Sequence, residues 1–169
     1  ERGPAQKFMD MRALGKEITS NNDFNTFLDV LPEYFLEETS RVYLARIDDF
    51  PIGGPYSGLD KWDMALETGL IEGLIDNGLT IAEKLDHVSP RNPSEYMGTS
   101  PQDAFYMHGI NLDDLKLIQN DFKAPHLLTY QIMDFSEQDL SVAIYLRMID
   151  LSSMKVLSST LIKVGSIIN

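Results

Sequence analysis

The residues nearest to a known chemical motif lie between positions 53 and 61, which read Gly-Gly-Pro-Tyr-Ser-Gly-Leu-Asp-Lys. A phosphate-binding loop needs a lysine directly after its second glycine, and then a serine or threonine for Mg²⁺. Leu59 and Asp60 stand at those places, and the carboxylate would repel phosphate. Ser57 lacks the flanking glycines of a hydrolase nucleophile elbow. The segment therefore predicts a connecting loop with a turn serine.

The three histidines are separated by whole predicted elements. His87, His108 and His126 have no partner histidine or acid at the i, i+4 spacing that marks a zinc helix. We therefore expect no metal site and no cofactor.

Two pairs of adjacent aspartates invite a test for acid–base chemistry. Neighbouring residues point apart on strands and helices, so neither pair resembles a catalytic dyad. Asp113 and Asp114 lie in the predicted first turn of a helix, where the macrodipole favours acids. Asp48 and Asp49 follow a predicted strand, at the place where α/β sheets often bind ligands. They keep open the alternative of a ligand-binding enzyme.

Composition limits the class of protein. The chain has 169 residues, no cysteine and a net charge of -12, which fits one domain without disulfides or thiolate metal sites. The charge predicts no nucleic-acid partner and no binding to anionic lipid. No apolar run approaches the roughly 20 residues that span a bilayer. The N-terminus has no apolar signal core, so we expect a processed chain whose precursor carried any anchor.

The first third of the chain predicts helices and one strand. Residues 1–22 have weak periodicity and favour a short helix or an extended arm. Asp23 predicts the N-cap of a helical pattern that reaches Leu36, with Pro32 dividing it near Leu31. Arg41–Ile47 is short, β-branched and aromatic, which predicts a strand.

A helix from about Asp60 to Asn77 is the best-defined element, since its apolar side chains form one stripe. Gly69 and Gly73 lie four residues apart in it, and each costs about 1 kcal/mol of helix propensity relative to alanine. We expect them to allow a close approach to the sheet. A second strand, Leu79–Leu85, follows.

The last third predicts a helix and a meander. The helix begins at the capping residue Asn111 and ends before Pro125. Three strands then follow one another: Leu127–Met133, Leu140–Ile149 and Val156–Val164. This order predicts an α/β (α+β) fold, a single-domain mixed sheet with flanking helices, in which βαβα units precede an antiparallel three-stranded meander. We expect residues 23–169 to form that domain.

Three segments together carry a family resemblance: Val42–Phe50, Thr68–Leu85 and Ser141–Leu151. From Arg41 to Gly165 the chain resembles the FlgO-like branch of a bacterial envelope family that also includes the curli pore lipoprotein CsgG and the penicillin-binding-protein activator LpoB. In these relatives the segments correspond to a first strand, a helix that ends in glycine before a strand, and a strand that ends in aspartate before a turn.

The resemblance implies a non-enzymatic protein that acts through protein–protein contacts, because its members serve as assembly, pore or activator proteins. It implies a periplasmic or outer-membrane-associated location and a role in flagellar assembly or structure, with envelope or flagellar proteins as partners. An LpoB-like activator of a cell-wall synthase is the alternative. A CsgG-type pore is disfavoured, since no paired alternating segments are long enough to face lipid.

Two predicted loops carry the candidate contact residues. Tyr56 and Tyr96 lie amid glycine and proline, and tyrosine is enriched in interface cores because it combines apolar area with a polar tip. The alternative is that each tyrosine packs its own loop. The next candidate surface is the acidic face of the Asp60–Asn77 helix, which would offer Asp63 and Glu67 to a basic partner.

Overall fold

The computed structural model describes residues 3–31, 41–46, 61–82, 112–120, 123–136 and 138–165. The helices in these ranges are α1 (Pro4–Ile18), α2 (Asn22–Asp29), α3 (Lys61–Asp76) and α4 (Leu112–Asn120). The strands are β1 (Arg41–Arg46), β2 (Thr80–Ile81), β3 (His126–Ser136), β4 (Ser141–Asp150) and β5 (Lys155–Gly165).

The five strands form one mixed sheet in the order β2-β1-β3-β4-β5. β1 lies parallel to both β2 and β3, and β3, β4 and β5 are antiparallel neighbours. The predicted fold class is confirmed: helix α3 joins the parallel strands β1 and β2, and the chain ends in a three-stranded meander.

Alternation of residue types explains the meander. Along β4, Val142, Ile144, Leu146 and Met148 are buried, and the residues between them are half-buried. A strand with one aliphatic face pairs in a fixed register, because a slip of one residue would turn that face to water. Two irregularities interrupt the ladder, one between Ile132 and Asp134 of β3 and one opposite Met148 and Ile149 of β4.

Apolar side chains cover the sheet on both sides. The larger core lies beneath α1, α2 and α3, and it includes Ile18, Phe24, Leu70, Tyr130 and Ile144. The smaller core lies on the other side, where Ile118 of α4 and Ala124 contact Tyr43 and Leu127. Among the described residues, three helices thus cover the larger core, whereas α4 packs into the smaller one, which extends from Ala82 after β2 to Ile149 of β4.

Of the two predicted options, a short helix or an extended arm, residues 4–18 adopt the helix. This helix, α1, packs along α3. An added Cβ at Gly69 would run into the backbone oxygen of Arg12, and one at Gly15 would run into the backbone oxygen of Leu66. An added Cβ at Gly73 would meet the Thr19 side chain. The glycines therefore allow a close approach, but to α1, which corrects the prediction that they face the sheet.

Charged side chains fix the two helices further. The Arg12 guanidinium donates to both carboxylate oxygens of Glu72, over 2.5 and 2.6 Å, and Lys16 lies 3.4 Å from Asp76. The hydrogen bond to Arg12 lowers the pKa of Glu72 and raises the pKa of Arg12. A bidentate pair of this kind adds orientation to the apolar contact.

Local chemistry sets the helix ends. The Asn21 side chain accepts a hydrogen bond from the Asp23 backbone N–H at 2.8 Å, so Asn21 is the N-cap of α2 in place of Asp23. That helix ends at Asp29, and residues 32–40 lie outside the described ranges. Gly78, with a φ of 92°, follows the end of α3, as glycine commonly does. In the described part of the chain, no helix combines the length and apolar character that crossing a bilayer requires.

Candidate functional site: an open face of the meander

The meander has one packed face and one open face. Rows of paired residues cross the open face: Gln131 with Tyr145 and Leu161, Thr129 with Arg147 and Ser159, and Leu127 with Ile149 and Val156. We call Tyr145, Arg147, Val156, Ser159, Leu161 and Lys163 the open meander face. Lys163 belongs to it because it pairs with Ala143, two residues before Tyr145.

The residues of these rows become more exposed to solvent from β3 to β5. Leu127 and Thr129 are buried in β3, and Tyr145 and Arg147 are half-buried in β4. Val156 and Leu161 of β5 are 51% and 46% exposed. On β5 the exposed Ser159 lies between these two apolar residues. Single exposed apolar residues are ordinary, but apolar residues grouped with an aromatic ring and an arginine are typical of contact surfaces.

Arg147 is the most distinctive residue of the open meander face. Its guanidinium carbon lies 5.6 Å from the centre of the Tyr145 ring, within the range of a cation–π contact. The Arg147 Nε is buried without a hydrogen-bond partner. No ion pair of Arg147 or Lys163 occurs within the described ranges. Both cations thus lack an internal carboxylate partner there, although acids outnumber bases 26 to 14 in the whole chain.

A second polar cluster lies where β4 turns into β5. Asp150 accepts hydrogen bonds from the Ser153 hydroxyl at 2.6 Å and the Ser152 hydroxyl at 3.0 Å. These bonds, that of Ser153 most strongly, lower the pKa of Asp150. The buried His126 places its Nε2 3.9 Å from an Asp150 oxygen, and burial lowers the pKa of His126 from 6.5.

The hydrogen-bond directions distinguish this cluster from a catalytic triad. In a triad the serine hydroxyl gives its proton to histidine, whereas here both hydroxyls donate to the carboxylate. The cluster fits the closing of a turn, since the Ser152 backbone N–H also donates to Asp150 at 3.3 Å. Among the described residues, no group of three or more histidines and acids is placed to hold a metal ion.

Glu67 does not lie on an exposed acidic face, which corrects its predicted placement. It is 9% exposed, and the Tyr130 hydroxyl donates a hydrogen bond to its carboxyl group at 2.9 Å. Asp63 lies in the first turn of α3. Tyr56, Tyr96, Asp48, Asp49, His87 and His108 lie outside the described residues, so their proposed roles stay predictions.

Sequence reasoning missed the open meander face, although the signal was present. Ala143, Tyr145, Arg147 and Ile149 alternate with the aliphatic residues of β4, so period-two alternation places them on the opposite face. Which parts of that face stay uncovered depends on tertiary packing, such as that of Ile118 of α4 in the smaller core. That packing joins distant parts of the chain and has no local pattern.

Fold and site together define a small α/β domain with a helix-covered sheet and an open antiparallel face. No protein-family model matches the sequence, and no curated protein matches it. A solved structure nevertheless shares its fold.

The LpoB C-terminal domain from Salmonella enterica superposes with a TM-score of 0.50 at 16% identity, covering 93% of this chain and 99% of that domain. The LpoB C-terminal domain from Escherichia coli gives a TM-score of 0.46, with the same identity and coverage. A lipoprotein from Neisseria meningitidis gives 0.43 at 14% identity, covering 75% of this chain and 81% of that one. The similarity to the Salmonella domain shows a shared fold. The FlgO-like and CsgG resemblances stay predictions.

Proposed function

We propose that this chain is a non-enzymatic, LpoB-like activator of a bacterial cell-wall synthase that acts by protein–protein contact in the cell envelope. The observation that carries the proposal is the fold shared with the Salmonella LpoB C-terminal domain, which extends over 93% of this chain and 99% of that domain. Similarity over nearly the whole of both lengths favours a related way of presenting surfaces. A fold alone does not determine function, so the proposal also uses the family resemblance of three separate segments.

The same resemblance supports a location in the periplasm or at the periplasmic face of the outer membrane. Other envelope proteins are the partners in this proposal, and the negative charge disfavours nucleic acid. The flagellar role rests on the FlgO-like resemblance alone. The activator role has the additional support of the fold, so it takes first place.

The non-enzymatic part of the proposal rests on the polar clusters of the described residues. The Asp150 carboxylate is engaged by two serine hydroxyls, and the Glu67 carboxyl group is bound by a tyrosine inside the core. Neither arrangement presents a free nucleophile and base to a substrate. We expect the purified protein to bind neither nucleotide nor zinc in titration calorimetry. Saturable stoichiometric binding of either would contradict this part and direct attention to Asp48 and Asp49.

The activator role is tested with purified cell-wall synthases from the bacterium that encodes the chain. We expect one synthase to bind the protein saturably and to polymerise glycan faster in its presence. Heat-denatured protein at the same concentration is the control for nonspecific effects. If no synthase binds, while deletion of the gene abolishes motility and leaves wall synthesis unchanged, the flagellar role replaces this proposal.

A further inference from the structure

We infer that the open meander face binds a partner protein through a patch of apolar and cationic residues, with a carboxylate group of the partner lying opposite Arg147. This inference rests on the proposed function and adds the chemistry of the partner's surface. The centre of the contact is the Tyr145–Arg147 pair on β4, and Val156 and Leu161 of β5 form its apolar side.

The open meander face is accessible to a partner. Leu161 is 46% and Val156 51% exposed, on the same face of the sheet as the half-buried Tyr145 and Ile149 with which they pair. A partner that covers this face removes apolar area from water, which is the main favourable term in most protein association. The sheet beneath is held by ladders on both sides of β4. The surface is therefore already ordered before binding.

Arg147 is suited to anchor this contact. The Tyr145 ring holds its guanidinium at 5.6 Å, so less side-chain entropy remains to be lost on binding. Arginine and tyrosine are also enriched among the residues that dominate binding energy. A planar guanidinium accepts a carboxylate with two parallel hydrogen bonds, which fixes the orientation of the partner.

The charged residues of the open meander face indicate the charge of the partner. Arg147 and Lys163 have no ion pair within the described ranges, and Asp134 shares the row of Lys163 but not that of Arg147. The face is therefore locally positive, whereas the whole chain carries -12. A strongly acidic partner would be repelled at long range. The complementary surface is thus apolar, with one or two carboxylates that act at short range.

A second copy of this chain fits these requirements less well. Two copies would each carry -12, so their approach costs electrostatic free energy that a neutral or basic partner avoids. We therefore commit to a different protein as the occupant.

The test is site-specific photo-crosslinking in the bacterium that encodes the chain. A photoreactive phenylalanine analogue replaces Leu161, and in a matched control it replaces Met9, which is 59% exposed on α1. We expect a crosslink to another protein from position 161 and none to that protein from position 9. Arg147→Glu should abolish the crosslink while the melting temperature of the purified variant stays near that of the wild type.

The crosslinked peptide, identified by mass spectrometry, supplies the decisive variant. We expect it to contain an aspartate or glutamate amid apolar residues. Changing that acid to lysine should restore the crosslink to the Arg147→Glu protein. With purified components, Arg147→Glu should weaken binding at least about thirtyfold, and Lys163→Glu, at the rim, by less than about fivefold.

The outcomes separate this inference from the proposed function. A crosslink to a cell-wall synthase supports both, and a crosslink to another envelope protein with charge-swap rescue keeps the face and overturns the activator role. A synthase captured from position 9 alone, or unaffected by Arg147→Glu, overturns the face and keeps the activator role. A crosslink to a second copy or to glycan, or no crosslink from position 161, overturns the inference.

Discussion

At the scale of single residues, the buried contact between α3 and β3 joins two polar groups inside the larger core. The Tyr130 hydroxyl donates to the Glu67 carboxyl group over 2.9 Å, and the Tyr130 side chain is among the largest that are fully buried. A buried polar group that loses its donor keeps the cost of desolvation, about 1–3 kcal/mol. This contact therefore fixes the position of α3 on the sheet as well as satisfying the acid.

Tyr130→Phe tests that role. We expect the free energy of unfolding to fall by about 1–3 kcal/mol, because Glu67 loses a donor while the ring still fills the core. Urea denaturation measures the change. Tyr145→Phe is the control, since that ring is half-buried on the open face, and it should change stability by less than about 0.5 kcal/mol. Equal stabilities of the two variants would contradict the prediction.

His126 gives the domain a pH dependence of known sign. Burial lowers the pKa of His126 from 6.5, and Asp150 opposes part of the shift. The unfolded chain therefore binds more protons than the folded one just below 6.5, so stability falls as the pH falls through that value. Asp150 acts in a lower window, because its own pKa lies below 3.8.

We expect the melting temperature of the wild type to fall more than that of His126→Gln between about pH 7.5 and about pH 5. Differential scanning calorimetry at several pH values gives both curves. The remaining titratable groups are the same in both proteins, so the difference between the curves reports the titration of His126. Parallel curves would show that His126 has the same pKa in the folded and unfolded chain.

At the scale of elements, the contact of α1 with α3 depends on glycines that face backbone at one point and a side chain at another. A Cβ at Gly69 would collide with the Arg12 backbone oxygen, which is held within a helix. A Cβ at Gly73 would collide with Thr19, whose hydroxyl donates to the Lys16 backbone oxygen at 2.7 Å. The two positions therefore differ in how they tolerate added volume.

Substitutions at Gly69 and Gly73 should follow that difference. We expect Gly73→Leu to overpack and cost on the order of 1–3 kcal/mol, and Gly69→Ala to cost more than Gly73→Ala because helix backbone cannot move aside. Thermal and urea unfolding measure the losses. Thr19→Ala should recover part of the loss caused by Gly73→Ala and none of that caused by Gly69→Ala. Recovery at both positions, or a raised melting temperature for Gly73→Leu, would contradict this packing.

The elements themselves were predictable to different degrees. The meander strands were located to within a few residues because apolar and polar residues alternate along β4. The element that the two glycines face was not predictable. Gly69 and Gly73 indicate that another part of the chain approaches closely, but not whether it is the sheet or a helix. The burial of Glu67 was hidden for a similar reason, because its donor Tyr130 lies 63 residues away. The exposure of the open meander face is likewise set by tertiary packing between distant parts of the chain.

At the scale of the whole molecule, the chain carries 26 acidic and 14 basic residues. Self-repulsion of like charges destabilises a compact state, and dissolved salt screens it. We expect the melting temperature to rise by a few degrees between about 20 mM and about 300 mM sodium chloride, which for a chain of this size is about 1 kcal/mol. Potassium chloride should give the same rise, since screening depends on ionic strength. A constant or falling melting temperature would show that attraction between opposite charges, as in the Arg12–Glu72 pair, outweighs the repulsion between like charges.

The order of strands in the sheet also determines the order in which the domain can fold. β1 lies between β2 and β3, and its longer ladder is with β3, which follows all four described helices in the sequence. In a chain that ends before residue 126, Val42 and Leu44 have no β3 beside which to pair. Contacts between distant segments form late because closing long loops costs entropy. The meander, whose contacts are local, should thus form its hairpins first and then recruit β1, and a chain truncated before β3 should stay unfolded and bind holding chaperones.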